Sequence, residues 1–157
     1  MYYSSICFIL PILLLDIPFY HALSLFCLTL SSFLYHNYPN QMTKRIDYSN
    51  IINTCSIIYF EDIDISIYYL FLYFIEQTYF KTHFIMYFLY FLSYTKYMKS
   101  PVVSLYFFLS LFIFGITFFQ EKNQFDFYPY QRWLWHFGQS MYIYHSLSEN
   151  YIHRLEL

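Results

Sequence analysis

The sequence predicts an all-α protein, a polytopic membrane helix bundle with six or seven transmembrane helices. Of the 157 residues, 59% are hydrophobic and only 11% are charged, whereas about 25% are charged in an ordinary soluble domain. The apolar residues form long segments that are separated by short polar breaks. Neither a soluble domain nor an internal repeat is evident, so we expect one integral membrane domain over residues 1–157.

Six polar breaks divide the chain into seven segments. Each break contains charged residues or proline, which are costly within lipid or end a helix. The segments lie near residues 3–17, 19–36, 46–61, 64–80, 83–98, 101–119 and 128–147. A helix needs about 20 residues, and at least about 17, to cross the hydrocarbon core. Several segments are at or below that lower limit, which leaves the number of spans at six or seven.

The segments differ in how clearly the sequence defines them. Pro11 and Pro18 allow the first segment to be either a short span or part of a kinked or re-entrant stretch. The segment that follows Pro101 is the clearest, because it contains no charge. The last segment is amphipathic, with Arg132 and His136 among aromatic residues, so we expect its polar face to point into the bundle.

Four polar side chains are expected at one depth of the bundle. Ser32 and His36 lie four residues apart, which places them on one face of the second segment. Asp47 begins the third segment after a polar loop, so it lies at the same end of the bundle, which we call side A. Four segments separate Asp47 from the last segment, and an even number returns the chain to side A. His136, about two turns into the last segment, is then level with His36 and Asp47.

Two imidazoles and a carboxylate at one depth indicate a metal site. Imidazole nitrogens and carboxylate oxygens are common protein ligands of catalytic zinc, which lowers the pKa of a bound water to about 7. A nearby hydroxyl such as that of Ser32 would stabilise the oxyanion formed when the water attacks an acyl carbon. An amide or ester bond of a lipid is the natural substrate at this depth.

The chain also resembles a known group of membrane proteins. It is similar to the CREST superfamily of seven-helix membrane hydrolases at three short motifs, Ser32-x-x-x-His36, Asp47-Tyr48 and Trp135-His136. That superfamily includes alkaline ceramidases, adiponectin-type receptors, and the branch of myomaker and the GPI-processing phospholipase, which these motifs resemble most. The resemblance covers roughly residues 19–147. It implies a zinc site with one histidine from the second helix and two, four residues apart, from the seventh.

One position departs from that pattern. His36 and His136 match two of the three expected zinc ligands, but the position four residues before His136 is Arg132. A guanidinium has no lone pair to donate to a metal ion. Zinc would then need Asp47, or another donor, as its third protein ligand. Arg132 could instead pair with Asp47 in the vacated position, which would give a metal-free, inactive relative.

The sequence supports three interpretations of function. The first is a zinc-dependent lipid amidase or acyl hydrolase, either active or degenerate, in which His36, Asp47 and His136 act with Ser32. The second is a noncatalytic membrane protein of the same fold that acts in membrane remodelling, fusion or reception. The third is a chain with no site, whose apolar segments, favoured by AT-rich coding, only mimic a bundle.

The charge pattern indicates which partners to expect. The net charge is -2 and no long run of charge occurs, so the chain lacks the basic surface that nucleic acid binding requires. Membrane lipids are therefore the expected partners, and nucleic acid is not.

Overall fold

The structure is a computed structural model of the chain. It describes the backbone of residues 4–123 and 128–155, and the side chains of residues 4–116 and 133–149. The described residues form one 3₁₀-helix and seven α-helices, without a strand. The 3₁₀-helix is Ser4–Ile9, and the α-helices are α1 (Leu10–Leu14), α2 (Phe19–Asn37), α3 (Gln41–Phe60), α4 (Ile63–Tyr79), α5 (Phe84–Thr95), α6 (Pro101–Asn123) and α7 (Tyr128–Leu155). The predicted all-α class is confirmed.

The helices follow the predicted segments in order, and the first segment differs most from its prediction. It consists of the 3₁₀-helix and the five-residue α1. Pro11 lies in the first turn of α1, where its missing N–H costs nothing. The backbone becomes extended at Leu15, and α2 begins directly after Pro18. Six helices of 12 or more residues, α2 to α7, therefore form the body of the bundle.

Helix α3 begins at Gln41, earlier than the segment predicted from residue 46. The Asn40 side chain accepts hydrogen bonds from the backbone N–H groups of Met42 and Thr43, both at 2.9 Å. In return, Thr43 Oγ1 accepts a hydrogen bond from the Asn40 N–H at 3.1 Å. This reciprocal capping box satisfies donors that would otherwise be orphaned at the helix start. It extends the helix through polar residues that the sequence analysis assigned to a loop.

Helix α3 lies at the centre of the bundle. It packs against α2, α4, α5 and α7, while α6 packs along α7 and the 3₁₀-helix packs against α2 and α7. Aromatic residues fill the core where α5, α6 and α7 meet. Tyr94 stacks on the fully buried Phe107 with ring centroids 4.1 Å apart.

Buried hydroxyl groups connect the helices to one another. Ser24 on α2 is hydrogen-bonded to Thr54 on α3 at 2.8 Å. Ser93 on α5 is hydrogen-bonded to Tyr142 on α7, also at 2.8 Å. Small residues with hydroxyl groups allow helices to approach closely and to bond across their interface, which is a common way of joining helices within membranes.

The described side chains place many polar groups inside the bundle and many apolar groups outside it. Eighteen polar or charged residues are buried, and 32 large hydrophobic residues are exposed. The exposed residues include Phe19, Phe74 and Phe112, whose exposed fractions are 81%, 69% and 67%. Exposed apolar surface on this scale indicates contact with lipid or with another protein.

Among the described residues, no single helix combines the length and the apolar character needed to cross a bilayer.

Candidate histidine site

His36 on α2 and His136 on α7 contact each other directly. Their Nε2 atoms are 3.2 Å apart and their ring centroids are 4.9 Å apart. His136 is 1% exposed, and His36 is partly buried. The fold therefore brings together two histidines from the second and the last long segment, as the even number of intervening segments predicts.

The distance between the two nitrogens restricts their chemistry. Two lone pairs that face each other at 3.2 Å repel, so the pair needs either a shared proton or a cation. Two nitrogens that bind one tetrahedral zinc ion at 2.0–2.1 Å lie about 3.3 Å apart. The observed separation thus suits either a hydrogen bond or a shared metal ion.

Ser4, in the 3₁₀-helix, contacts the other ring nitrogen of His136. Its Oγ lies 2.8 Å from Nδ1, and both residues are 1% exposed. When Nδ1–H donates to the serine oxygen, the lone pair of His136 resides on Nε2, which faces His36. Histidines that bind metals are commonly oriented by such a partner on their second nitrogen. The sequence analysis missed Ser4, because no local pattern links it to a histidine at the far end of the chain.

Asp47 lies on α3 and is 4% exposed. Its Oδ1 accepts a hydrogen bond from Ser31 Oγ on α2 at 3.3 Å. Among the side chains that the structure describes, no three from His, Cys, Asp or Glu lie close enough to hold a metal ion. The structure thus joins His36 with His136 but does not group Asp47 with them, and the role of Asp47 as a ligand stays a prediction.

The two remaining residues predicted for the site are Ser32 and Arg132. Ser32 is 3% exposed and lies on α2, four residues before His36. Its neighbour Ser31 is the serine that reaches Asp47, because successive residues of a helix point about 100° apart. Ser32 is predicted from its spacing to His36, a pattern that does not identify Ser31. Arg132 falls outside the residues whose side chains are described.

An apolar cavity of about 70 Å³ lies beside the histidine pair. Trp135 borders both, since it lines the cavity and its ring centroid is 6.4 Å from that of His36. Phe114 on α6 lines the same cavity and packs on Trp135, with ring centroids 5.1 Å apart. The histidine pair is therefore flanked by an aromatic, apolar surface.

A second group of buried polar side chains closes the turn between α4 and α5. The Glu76 carboxylate accepts hydrogen bonds from the backbone N–H groups of Phe84 and Ile85 and from the Thr82 hydroxyl. A carboxylate at the start of a helix satisfies orphaned donors and interacts favourably with the helix dipole. Glu76 therefore acts as the cap of α5.

His83 belongs to this same turn. Its Nδ1 lies 3.0 Å from Gln77 Nε2 and 3.2 Å from the Tyr73 hydroxyl. Because the amide nitrogen can only donate, Nδ1 acts as the acceptor. Burial lowers the pKa of His83, and the nearby positive charge of Lys44 lowers it further. The His83 ring also packs on Tyr48, with centroids 4.6 Å apart, so the turn lies close to the part of α3 that carries Asp47.

No protein-family model, curated protein or solved structure matches this chain.

Proposed function

We propose that this chain is a CREST-like, multi-pass membrane protein that binds zinc between His36 and His136 and hydrolyses an amide or ester bond of a lipid. The observation that carries this proposal is the 3.2 Å approach of the two Nε2 atoms. It is supported by the exposed apolar surface, by the Ser4 contact and by the cavity beside Trp135.

The distribution of polar and apolar residues supports the membrane part of the proposal. Among the described side chains, 32 large hydrophobic residues are exposed and 18 polar or charged ones are buried, a distribution that suits an apolar solvent. In lipid, apolar contact between helices gives little driving force, so hydroxyl bonds and close packing assume that role. The Ser24–Thr54 and Ser93–Tyr142 bonds have this character.

The histidine pair fits two positions of a zinc site. His36 and His136 would hold the ion through Nε2, and an Nδ1–H donated to Ser4 Oγ would keep the His136 lone pair on Nε2. Zinc, when bound, supplies a Lewis acid and a water of lowered pKa. Catalytic zinc sites usually have three protein ligands, and the described side chains provide two of them.

The surroundings of the pair support a lipid as the substrate class. Trp135 and Phe114 form an apolar wall next to the imidazoles and line the adjoining cavity of about 70 Å³. If an acyl chain of the substrate lies against this wall, its carbonyl carbon lies near His36 and His136, whose Nε2 atoms are in direct contact.

The proposal is tested with the full-length chain purified from membranes in detergent. We expect about one zinc ion per chain, measured by elemental mass spectrometry, and its loss in His36→Ala and in His136→Ala. His145→Ala is the matched control, because His145 also lies on α7 but stacks on Tyr106 with centroids 5.4 Å apart. Release of fatty acid from a ceramide or a phospholipid, lost in the same two variants, would support hydrolysis. Wild-type protein without zinc would contradict the metal site.

A noncatalytic membrane protein of the same fold is the second candidate. It is favoured by the lack of a third ligand among the described side chains. The variant Arg132→His separates the two candidates, since it places a histidine one helical turn before His136. If zinc binds, and lipid is cleaved, only in this variant, the natural chain is a noncatalytic relative. If wild type already binds zinc and cleaves lipid, the first candidate is correct.

A further inference from the structure

A groove of about 440 Å³ lies between α3 and α4. Its volume is within the range of about 300–1,000 Å³ that is typical of small-molecule sites. Three apolar residues line it, Ile46, Leu70 and Phe74, together with one cation, Arg45. The groove therefore combines an apolar surface with a single positive charge.

The charge of Arg45 is not neutralised by a described carboxylate. The one ion pair among the described side chains joins Lys96 to Glu61 at 2.7 Å, beyond the other end of α3. Asp47, two residues after Arg45, is buried and bonded to Ser31 of α2, because residues two apart on a helix face different directions. Glu76 is used as the cap of α5.

Three other polar side chains of the groove donate hydrogen bonds to backbone carbonyls of their own helices. Ser49 Oγ donates to the Arg45 carbonyl at 2.8 Å, and Thr78 Oγ1 donates to the Phe74 carbonyl at 2.8 Å. Asn50 Nδ2 donates to the Ile46 carbonyl at 3.1 Å. The exposed Arg45 guanidinium, with five N–H donors and a positive charge, is the group of the groove best suited to bind an anion.

Lys44 adds to the positive potential at this end of α3. Its Nζ lies 5.3 Å from the centre of the Tyr48 ring, so it faces a different direction from the groove. Its charge and that of Arg45 both lower the pKa of His83, after the larger effect of burial. Arg45 in the groove, with the charge of Lys44 nearby, gives the combination of positive potential and apolar surface that recognises anionic lipid headgroups.

We propose that the α3–α4 groove binds an anionic phospholipid, with its phosphate on the Arg45 guanidinium and an acyl chain along Ile46, Leu70 and Phe74. This inference rests on the membrane part of the proposed function and is independent of the metal site. A guanidinium binds phosphate oxygens through two parallel hydrogen bonds. The apolar lining favours a lipid over a soluble phosphate, because only the lipid has an acyl chain to bury there.

The test uses the full-length chain in detergent, with native mass spectrometry to count bound lipids. Phosphatidylglycerol, phosphatidylcholine and inorganic phosphate are the three probes. We expect phosphatidylglycerol to be retained over phosphatidylcholine, and Arg45→Gln to weaken its retention about tenfold, as loss of a charged hydrogen bond does. Lys99→Gln is the matched control, because Lys99 is exposed beyond α5 and its loss changes the net charge equally.

A second variant tests the apolar part of the groove. Thr78 is exposed and lines the groove, so Thr78→Trp fills the space without disturbing the core. We expect this variant to lose phosphatidylglycerol although Arg45 is intact.

Three results would overturn the proposal. If Arg45→Gln and Lys99→Gln lose lipid equally, lipid retention depends on the net charge of the protein and not on the groove. Displacement of the lipid by millimolar phosphate would assign the groove to a soluble anion. Equal retention of phosphatidylglycerol and phosphatidylcholine would show that the groove does not prefer an anionic headgroup. Failure of the membrane proposal gives a different result, because the protein would then be absent from the membrane fraction and would retain neither lipid.

Discussion

The histidine pair and the α4–α5 turn are both built from buried polar side chains, but they differ in the distance along the chain that their contacts span. In the turn, Glu76 and Gln77 bond to residues five to nine positions away. In the histidine pair, residues 100 positions apart meet, and Ser4 joins from 132 positions away. Polar contacts within a turn are explained by the need to end one helix and begin the next. The contacts among Ser4, His36 and His136 join the 3₁₀-helix, α2 and α7, so the ending of a helix does not explain them.

The two regions also differ in the chemistry open to their atoms. In the turn, N–H and O–H donors point at the Glu76 carboxylate and are satisfied by it. In the pair, two imidazole Nε2 atoms face each other at 3.2 Å. One neutral Nε2–H can donate to the other Nε2, or both lone pairs can bind one cation, so the pair can exchange its hydrogen bond for a shared metal ion.

The largest effect is expected for His136→Ala. Loss of this ring removes one of the two nitrogens and the partner of both His36 and Ser4, so bound zinc should fall from about one ion per chain to background. Elemental analysis of the purified protein measures this, and circular dichroism verifies that the helices persist. Full zinc content in the variant would show that the metal binds elsewhere.

A smaller effect, of a different kind, is expected for Glu76→Ala. Three donors of the α4–α5 turn would lose their acceptor, which should lower the free energy of unfolding by about 2–4 kcal/mol and leave zinc binding unchanged. Glu61→Ala is the control, since its carboxylate is 25% exposed and paired with Lys96, and such a pair contributes at most about 1 kcal/mol. Unfolding in detergent provides the measurement. Equal loss of stability in both variants would refute the capping role of Glu76.

The smallest effect is expected for Ser4→Ala. Removal of the hydroxyl frees the His136 ring from its preferred tautomer, so the zinc dissociation constant should rise about 10- to 100-fold. Ser5→Ala is a close control, because Ser5 is equally buried in the same 3₁₀-helix and its Oγ has no partner among the described atoms. Ser4→Thr, which keeps a hydroxyl, should restore part of the affinity. Equal zinc affinity in the two alanine variants would show that Ser4 does not position His136.

Much of the fold could be predicted from the sequence, because runs of apolar residues and the breaks between them mark helices directly. The helix boundaries differ from the predicted apolar segments where local chemistry overrides composition. The Asn40–Thr43 capping box begins α3 within a polar stretch, so polarity alone misplaces its start. Pro11 marks the first turn of a five-residue helix and not a kink in a long one.

The site could be predicted only as far as topology determines it. The number of segments between His36 and His136 places both at side A, and the structure brings them together. Which face of α2 meets α3 depends on helix packing, so the sequence analysis could not show that Ser31, and not Ser32, bonds to Asp47. The position of Ser4 beside His136 depends on how the 3₁₀-helix packs between α2 and α7, which no local pattern encodes.

X-ray absorption at the zinc edge, on full-length protein loaded with one equivalent of zinc, tests the central claim most directly. If His36 and His136 share the ion, the wild-type spectrum will show two imidazole nitrogens at about 2.0–2.1 Å, and His36→Ala and His136→Ala will not give this zinc shell. A zinc shell without imidazole, or one that is the same in wild type and in both histidine variants, would contradict the account.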